Sequence, residues 1–217
     1  MGAGTVGILL AGGRGARLGA GVPKALAVVG DVTLLERAIR TLARVGDAVV
    51  VAAPRALDLP LPVAAPETRV PVRRALDAGE GPLAGLVAAL GVMRFERAVV
   101  LGVDFPLMRA EALATLAARL AYAGAGEPAP PAVVPAPDGV LQPLAAAYGW
   151  SAAEALAEAY GRGERSFVRA VESLGPRVLG PEALAALPGG LENFFNLNTP
   201  EDRDIAERRL RERVESP

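Results

Sequence analysis

The sequence predicts an α/β fold, three-layered, with a mostly parallel sheet and a mixed edge, and three observations predict it. Short uncharged apolar runs, Val6 to Leu10, Ala48 to Ala52 and Ala98 to Val103, read as strands buried on both faces. Segments with helix-start chemistry alternate with them, as in repeated βαβ units. Late in the chain an Asp138-Gly139 turn between Val133-Val134 and Leu144 to Tyr148 reads as a hairpin, which introduces the antiparallel pairing. At 217 residues the chain is long enough for one sizeable α/β core. It is read as one domain over 1–217, with two halves at about 1–123 and about 132–217.

After the first strand comes Leu10-Ala11-Gly12-Gly13-Arg14-Gly15-Ala16-Arg17-Leu18-Gly19, running on through Pro23 to Lys24. Gly12 and Gly13 let backbone amides approach oxyanions, while Gly15 and Gly19 permit positive φ, so the segment reads as a nest for a polyphosphate. Two better-known loops fail on spacing. After Gly13-x-Gly15, Gly19 falls one place late for a dinucleotide fingerprint, and Lys24 lies between Pro23 and Ala25, not between a glycine and a hydroxyl residue as in a Walker A loop. Of 23 basic residues, Lys24 is the only lysine. An ammonium is a compact point charge that fits between phosphate oxygens, where the wide guanidinium fork needs more room.

Thr33-Leu34-Leu35-Glu36 opens a helix to about Arg44 with a capping box. Residues 54 to 74, rich in proline, read as a loop with one short strand near Val63. Gly81-Pro82-Leu83-Ala84-Gly85 starts a third helical segment with proline in the first turn. Asp104 ends the strand at 98–103, on the sheet edge where ligands gather in open parallel sheets, and so on the same edge as the glycine loop. Residues 124–132 form a glycine- and proline-rich linker, and Ser151 to Glu154 and Ser166-Phe167 open two helices. Arg162, Glu164 and Arg165 read as a solvated face. Thr199, Pro200, Glu201 and Asp202 make a well-capped start to the final helix, but they leave Asn196 and Asn198 unexplained. On a strand these two would share one side and offer paired amides to a ligand.

Composition narrows the chemistry. With no histidine and no cysteine, the chain lacks the parts for a Ser-His-Asp or Cys-His mechanism, a nitrogen- or sulfur-ligated zinc site, or a disulfide. Oxygen-only ligands favour magnesium, manganese or calcium. A net charge of −1 argues against nucleic acid as a partner. The absence of a signal peptide or membrane span makes the cytoplasm the expected location.

Leu10-Ala11-Gly12-Gly13 with Arg17, Gly19 and Lys24 resembles the signature of nucleotidyltransferases that activate sugars, isoprenoid precursors and molybdopterin. Phe195-Asn196-Leu197-Asn198-Thr199-Pro200-Glu201-Asp202 is similar to the terminal signature of molybdenum cofactor guanylyltransferases, and Gly81 to Gly85, Gln142 to Tyr148 and Gly163-Glu164-Arg165 also match that family in order. The resemblance implies a Rossmann-like, nucleotide-diphospho-sugar transferase-like fold and Mg2+-dependent transfer of GMP from GTP to the molybdenum-molybdopterin cofactor. It implies catalytic roles for Arg17, Lys24 and Asp104, nucleotide contacts by Leu10, Ala11, Gly12, Gly13, Lys24, Asp77 and Asp104, and metal binding by Asp104. Asn196 and Asn198 would meet the acceptor. Other cofactor-assembly proteins and molybdoenzymes are the implied partners, and no membrane. The chain departs from the family at Ala52, where members often carry a nucleotide-contacting asparagine. Use of CTP or another triphosphate, on molybdopterin or a sugar phosphate, is the neighbouring alternative. A non-catalytic nucleotide sensor is the alternative of another class. A nicotinamide oxidoreductase is disfavoured by the glycine spacing and by Asp47 preceding the second strand instead of ending it.

Overall fold

The computed structural model describes residues 3–12, 23–121 and 128–215. Its centre is a seven-stranded sheet. The first strand, β1 (Ala3–Leu10), pairs in parallel with β4 (Ala48–Pro54) on one side and β6 (Phe95–Gly102) on the other. Beyond β4 lies β5 (Val72–Asp77), also parallel. Beyond β6 come β8 (Ala145–Gly149), β7 (Ala132–Pro135) and β9 (Arg177–Leu179). β8 runs antiparallel to both β6 and β7, while β7 and β9 are parallel, so the strand that makes the sheet mixed lies inside it. The chain fills one side of β1 with β4 and β5 before crossing to β6. The carboxyl ends of β1 and β6 therefore form the switch point where open α/β sheets leave a crevice for ligands.

Alternate residues along each strand face opposite layers, and the core divides accordingly. Leu9, Val49, Val51, Val99 and Leu101 meet α1 (Leu34–Ala43) and α3 (Ala110–Ala121), with α6 (Pro181–Ala185) and Ala206 of α7 (Pro200–Glu215) alongside. Val6, Ile8, Leu10, Val50 and Val100 meet α2 (Pro82–Leu90), α4 (Trp150–Gly161) and α5 (Phe167–Glu172). α1 lies close to β1 because Gly7 has no side chain; a Cβ there would come within 2.7 Å of the Leu42 Cβ. No described helix is long and apolar enough to cross a membrane.

Helix starts follow the sequence reading in most places. The Thr33 hydroxyl accepts from the Glu36 amide at 3.1 Å, and Pro82 occupies the first turn of α2 after Gly81 at φ 103°. Ser166 caps α5 through the Arg169 amide. The Ser151 box does not form, because α4 begins one residue earlier with Gly149 as its cap and Ser151 already inside the first turn. Residues 54 to 74 also need correction. Val63 is exposed and lies beside a single Ala64–Pro71 bridge, not in a strand, while residues 72–74 already belong to β5, which the sequence reading does not anticipate. Its sequence Val-Arg-Arg-Ala-Leu-Asp carries charges because it is a sheet edge with one face toward water, which hides it from a reading tuned to apolar runs.

Candidate active site

Lys24 opens a short 3-10 helix, Lys24–Leu26, directly after Pro23, which lacks an amide hydrogen and takes φ −52°. Ala25 is buried in the core and anchors the turn, leaving Lys24 at the rim of the sheet. From there its Nζ donates to Asn198 Oδ1 at 2.9 Å and lies 3.4 Å from Asp104 Oδ2. Their side chains are only 13 % and 19 % exposed for the lysine and aspartate, so solvent screens this ion pair far less than the surface pairs elsewhere.

Asp104 stands just past β6, and its carboxylate folds back over Gly102. A Cβ on Gly102 would sit 2.5 Å from Asp104 Oδ1, so glycine is what makes room for the group. The Asp104 carbonyl accepts from the Leu197 amide at 2.9 Å, which ties the Asn196–Asn198 segment to the end of β6. That segment is extended but not a strand of the sheet, contrary to the sequence reading, because only this single bond joins it to β6. Leu197 is wholly buried, Asn198 reaches Lys24, and Asn196 keeps its side-chain Oδ1 buried without a partner among the described residues. A buried acceptor left unpaired costs about 1–3 kcal/mol, so it is an oxygen with capacity for a ligand.

Asp202 holds the other end of the segment. Its Oδ2 accepts from the Asn198 and Thr199 amides, both at 2.8 Å, while its own amide donates to the Thr199 hydroxyl. The amide of Asn198, then that of Thr199, holds the Asp202 carboxyl below its ordinary value, with the Lys24 charge adding a smaller push. Sequence reading assigned Asp202 to the helix dipole and missed that it positions Asn198. The signal was available in the spacing from Thr199 to Asp202.

The same rim continues toward β5. Asp77 ends that strand, paired in register with Pro54. Its carboxylate accepts from the Gly79 amide at 2.7 Å, and Cβ atoms built on Gly12 and Gly85 would each lie 3.6 Å from its Oδ2. Gly12 and Asp77 are thus close neighbours. Leu10 and Ala11 are buried, and the Ala11 amide and Leu10 carbonyl are already bonded to Ala52 and Val103, so sheet pairing runs to the edge of the loop. Ala52 sits inside β4, wholly buried under α2, and offers nothing to a ligand. Gly13, Arg17 and the remaining loop glycines, Gly15 and Gly19, lie outside the described residues.

Sequence reading also missed Asn193, the one buried polar side chain among the described residues. It accepts from the Arg109 amide at 2.9 Å just ahead of α3 and donates to the Pro188 and Gly190 carbonyls, so it is fully used in structure. Arg162 and Arg165 are exposed, and the charges there pair at the surface. Glu164 accepts from the Arg169 guanidinium and from the Ser166 and Arg165 amides, which hold its carboxyl down to about 2, and Arg165 reaches Glu80 at 2.9 Å.

No group of three or more His, Cys, Asp or Glu gathers as a metal cage among the described residues. The Asp104 carboxylate is an oxygen donor at the end of β6, and the unpartnered Oδ1 of Asn196 belongs to the residue before Leu197, whose amide is tied to Asp104; such oxygen-only donors fit the chemistry of a magnesium ion completing its shell with water and substrate phosphates.

A protein from Chloroflexus aggregans, named "Probable molybdenum cofactor guanylyltransferase", is 32% identical over 93% of this chain and 92% of its own. The crystal structure of molybdopterin-guanine dinucleotide biosynthesis protein A from Archaeoglobus fulgidus superimposes with a TM-score of 0.74 at 28% identity, covering 96% of this chain and 99% of that one. The fold is shared with 2-C-methyl-D-erythritol 4-phosphate cytidylyltransferase from Thermus thermophilus, at a TM-score of 0.68 and 20% identity over 97% of this chain and all of that one. Residues 7–175 match the family described as "MobA-like NTP transferase domain", and on that match and the Chloroflexus relative the chain belongs to this nucleotidyltransferase family.

Proposed function

We propose that the protein transfers GMP from GTP to the terminal phosphate of molybdopterin carrying molybdenum, with release of pyrophosphate and dependence on magnesium. The observation that carries this reading is the convergence of Lys24, Asp104 and Asn198 at the β1/β6 switch point, in a chain of this family. The names of the Chloroflexus and Archaeoglobus relatives support the acceptor and the base.

The acceptor phosphate is already an anionic nucleophile, so no general base is required and the lack of histidine is no obstacle. One of its oxygens bonds to the α-phosphorus of GTP while the bond from that phosphorus to the bridging oxygen breaks, and pyrophosphate leaves with the electron pair. The barrier lies in bringing two anions together. Lys24 offers a nearly desolvated positive charge against that repulsion, and Arg17 and the loop amides of Gly12 and Gly13 are assigned to the same work. Asp104 would hold the magnesium, with the free Oδ1 of Asn196 as the second protein oxygen assigned to it, and the bound ion would neutralise phosphate charge and orient the leaving group. Asn198, fixed by Asp202, keeps the ammonium of Lys24 in place and faces the acceptor. Asp77, a neighbour of Gly12, is assigned to the nucleoside. Because the reaction needs positioning and charge, alignment of the two phosphates is the main requirement.

Pyrophosphate exchange measured with each triphosphate in turn, with molybdenum-carrying molybdopterin present as the acceptor, tests the proposal. Exchange with GTP and magnesium, and none with CTP, ATP or UTP, is expected. Exchange with CTP alone would replace the guanylyl assignment, and GTP binding without exchange would replace the enzyme with a sensor.

A further inference from the structure

A second cleft, of about 630 Å³, opens between α1, the start of α3 and α7, and none of Lys24, Asp77, Asp104, Asn196 or Asn198 lines it. Six arginines do: Arg37, Arg40, Arg44, Arg109, Arg209 and Arg213. Their depth differs from that of the four carboxylates present. Five of the arginines, all except Arg44, are half-buried, whereas Glu67, Glu111, Glu192 and Glu212 are all exposed. The floor is therefore cationic and the rim mixed.

The rim carboxylates do not satisfy the floor. Glu36 and Glu67 pair with Arg40, Glu67 with Arg44, and Glu192 with Arg209 and Arg213. Among the described residues neither Arg37 nor Arg109 has a carboxylate partner, and the Nε donors of Arg37, Arg40, Arg109 and Arg213 are buried without an acceptor. Guanidinium groups gathered away from water repel one another, and burial together with the Arg40 charge lowers the affinity of Arg37 for its proton. Burial acts the same way on Arg213, with Arg109 and Arg209 adding to it against the opposing pull of Glu192. Such an arrangement is uncompensated as it stands. Planar forks with unused donors match tetrahedral oxyanions in geometry as well as charge.

We infer that this cleft is a second anion site, taking a phosphoanion of the size of a di- or triphosphate, separate from the Lys24 rim. The volume lies within the range of small-molecule pockets. A deep cationic floor behind exposed carboxylates admits a compact anion and repels a broad acidic surface laid across the rim, which favours a small molecule over an acidic protein segment. Two sources share this chemistry, free pyrophosphate and the phosphate tail of a nucleotide.

The test uses the full chain carrying Lys24→Ala, so that its outcome is independent of the proposed catalysis. Inorganic pyrophosphate is titrated calorimetrically into this protein without magnesium, and into the same protein carrying Arg37→Gln and Arg109→Gln. Retained binding that weakens at least ~10-fold in the second protein is expected, as loss of two charge-assisted donors implies. GTP and guanosine arms identify the source: GTP competing with pyrophosphate, with guanosine inert, assigns the site to the nucleotide tail, and pyrophosphate binding without GTP competition assigns it to the free anion. No pyrophosphate binding to Lys24→Ala, or equal binding with and without the arginines, would overturn the inference, as would a glutamate octapeptide that displaces pyrophosphate with higher affinity. Arg37 also bonds the Val29 carbonyl, so if the double variant melts early, Arg109→Gln alone decides the matter on the same criterion.

Discussion

The Nζ of Lys24 is 2.9 Å from the Oδ1 of Asn198, a residue 174 positions later in the chain. This bond joins the loop after the first strand to the entrance of the last helix, and Asp104 lies beside it at 3.4 Å. Three segments distant in sequence meet at one point on the sheet edge. The reactivity assigned to the protein depends on that meeting.

Lys24→Ala is expected to lose at least ~100-fold in pyrophosphate exchange, roughly 3 kcal/mol, as for deletion of one preorganised transition-state donor. Circular dichroism should be unchanged. Lys24→Arg should recover little of the loss, because the fork does not fit a position already shared with two side-chain oxygens. Near-normal turnover in the alanine variant would remove Lys24 from the mechanism.

Asp104→Asn is expected to abolish metal-dependent exchange while leaving the thermal midpoint close to that of the parent. The tie from the Asp104 backbone to Leu197 survives the substitution, so the fold loses little. An equal loss of stability and activity would assign the carboxylate to structure.

Gly102→Ala tests how the carboxylate is seated. The added methyl would lie 2.5 Å from Asp104 Oδ1 and 3.3 Å from the Leu144 Cβ, so the aspartate must swing away or the strand end must shift. Steady-state exchange should fall by more than ~10-fold, with a stability loss of about 1–3 kcal/mol from overpacking. Unaltered magnesium dependence would show that the seating is not required.

Asp202 links pH to the site. Its folded pKa is depressed chiefly by the Asn198 amide, so its contribution to stability is present above the value of an unfolded aspartate and is lost as pH falls through the lower folded value. Asp202→Asn should reduce the acid-side slope of stability against pH. It should also lower the exchange rate at neutral pH by releasing Asn198. Urea titrations between pH 7 and pH 2 check the first effect and exchange kinetics the second.

Asn193→Ala should be the costliest of these substitutions for the fold, at least ~2 kcal/mol, because it strands the Arg109 amide and removes the side-chain donor of two backbone carbonyls. Chemical denaturation measures it.

Much of the fold was readable from local chemistry. Apolar runs marked β1, β4 and β6, the Thr33 box marked α1, and the Asp138-Gly139 turn marked the reversal that sets β8 against its neighbours. β5 escaped because an edge strand need not be apolar on both faces, and the start of α4 escaped because a glycine cap leaves no side-chain signature. Lys24, Asp104, Asn196 and Asn198 stood out as residue types in suggestive positions. The contact of Lys24 with Asp104 and Asn198 did not, since no spacing rule spans such separations. Asn193 left no mark in the sequence because the amide it holds belongs to Arg109, 84 positions earlier, and the arginine cleft left none because its lining comes from α1, the entrance to α3 and α7, which lie far apart along the chain.

By itself the amino-acid order determined which segments pair, coil or turn, and confined the chemistry to oxygen ligands and fixed cations. Those are properties of neighbours a few positions apart and of the side chains available. Tertiary structure alone decided that an ammonium, a carboxylate and a side-chain amide share one rim, and that five half-buried guanidinium groups share one floor. Parallel strands with crossover helices are what bring such remote residues together, and the packing of the layers sets the distances between them.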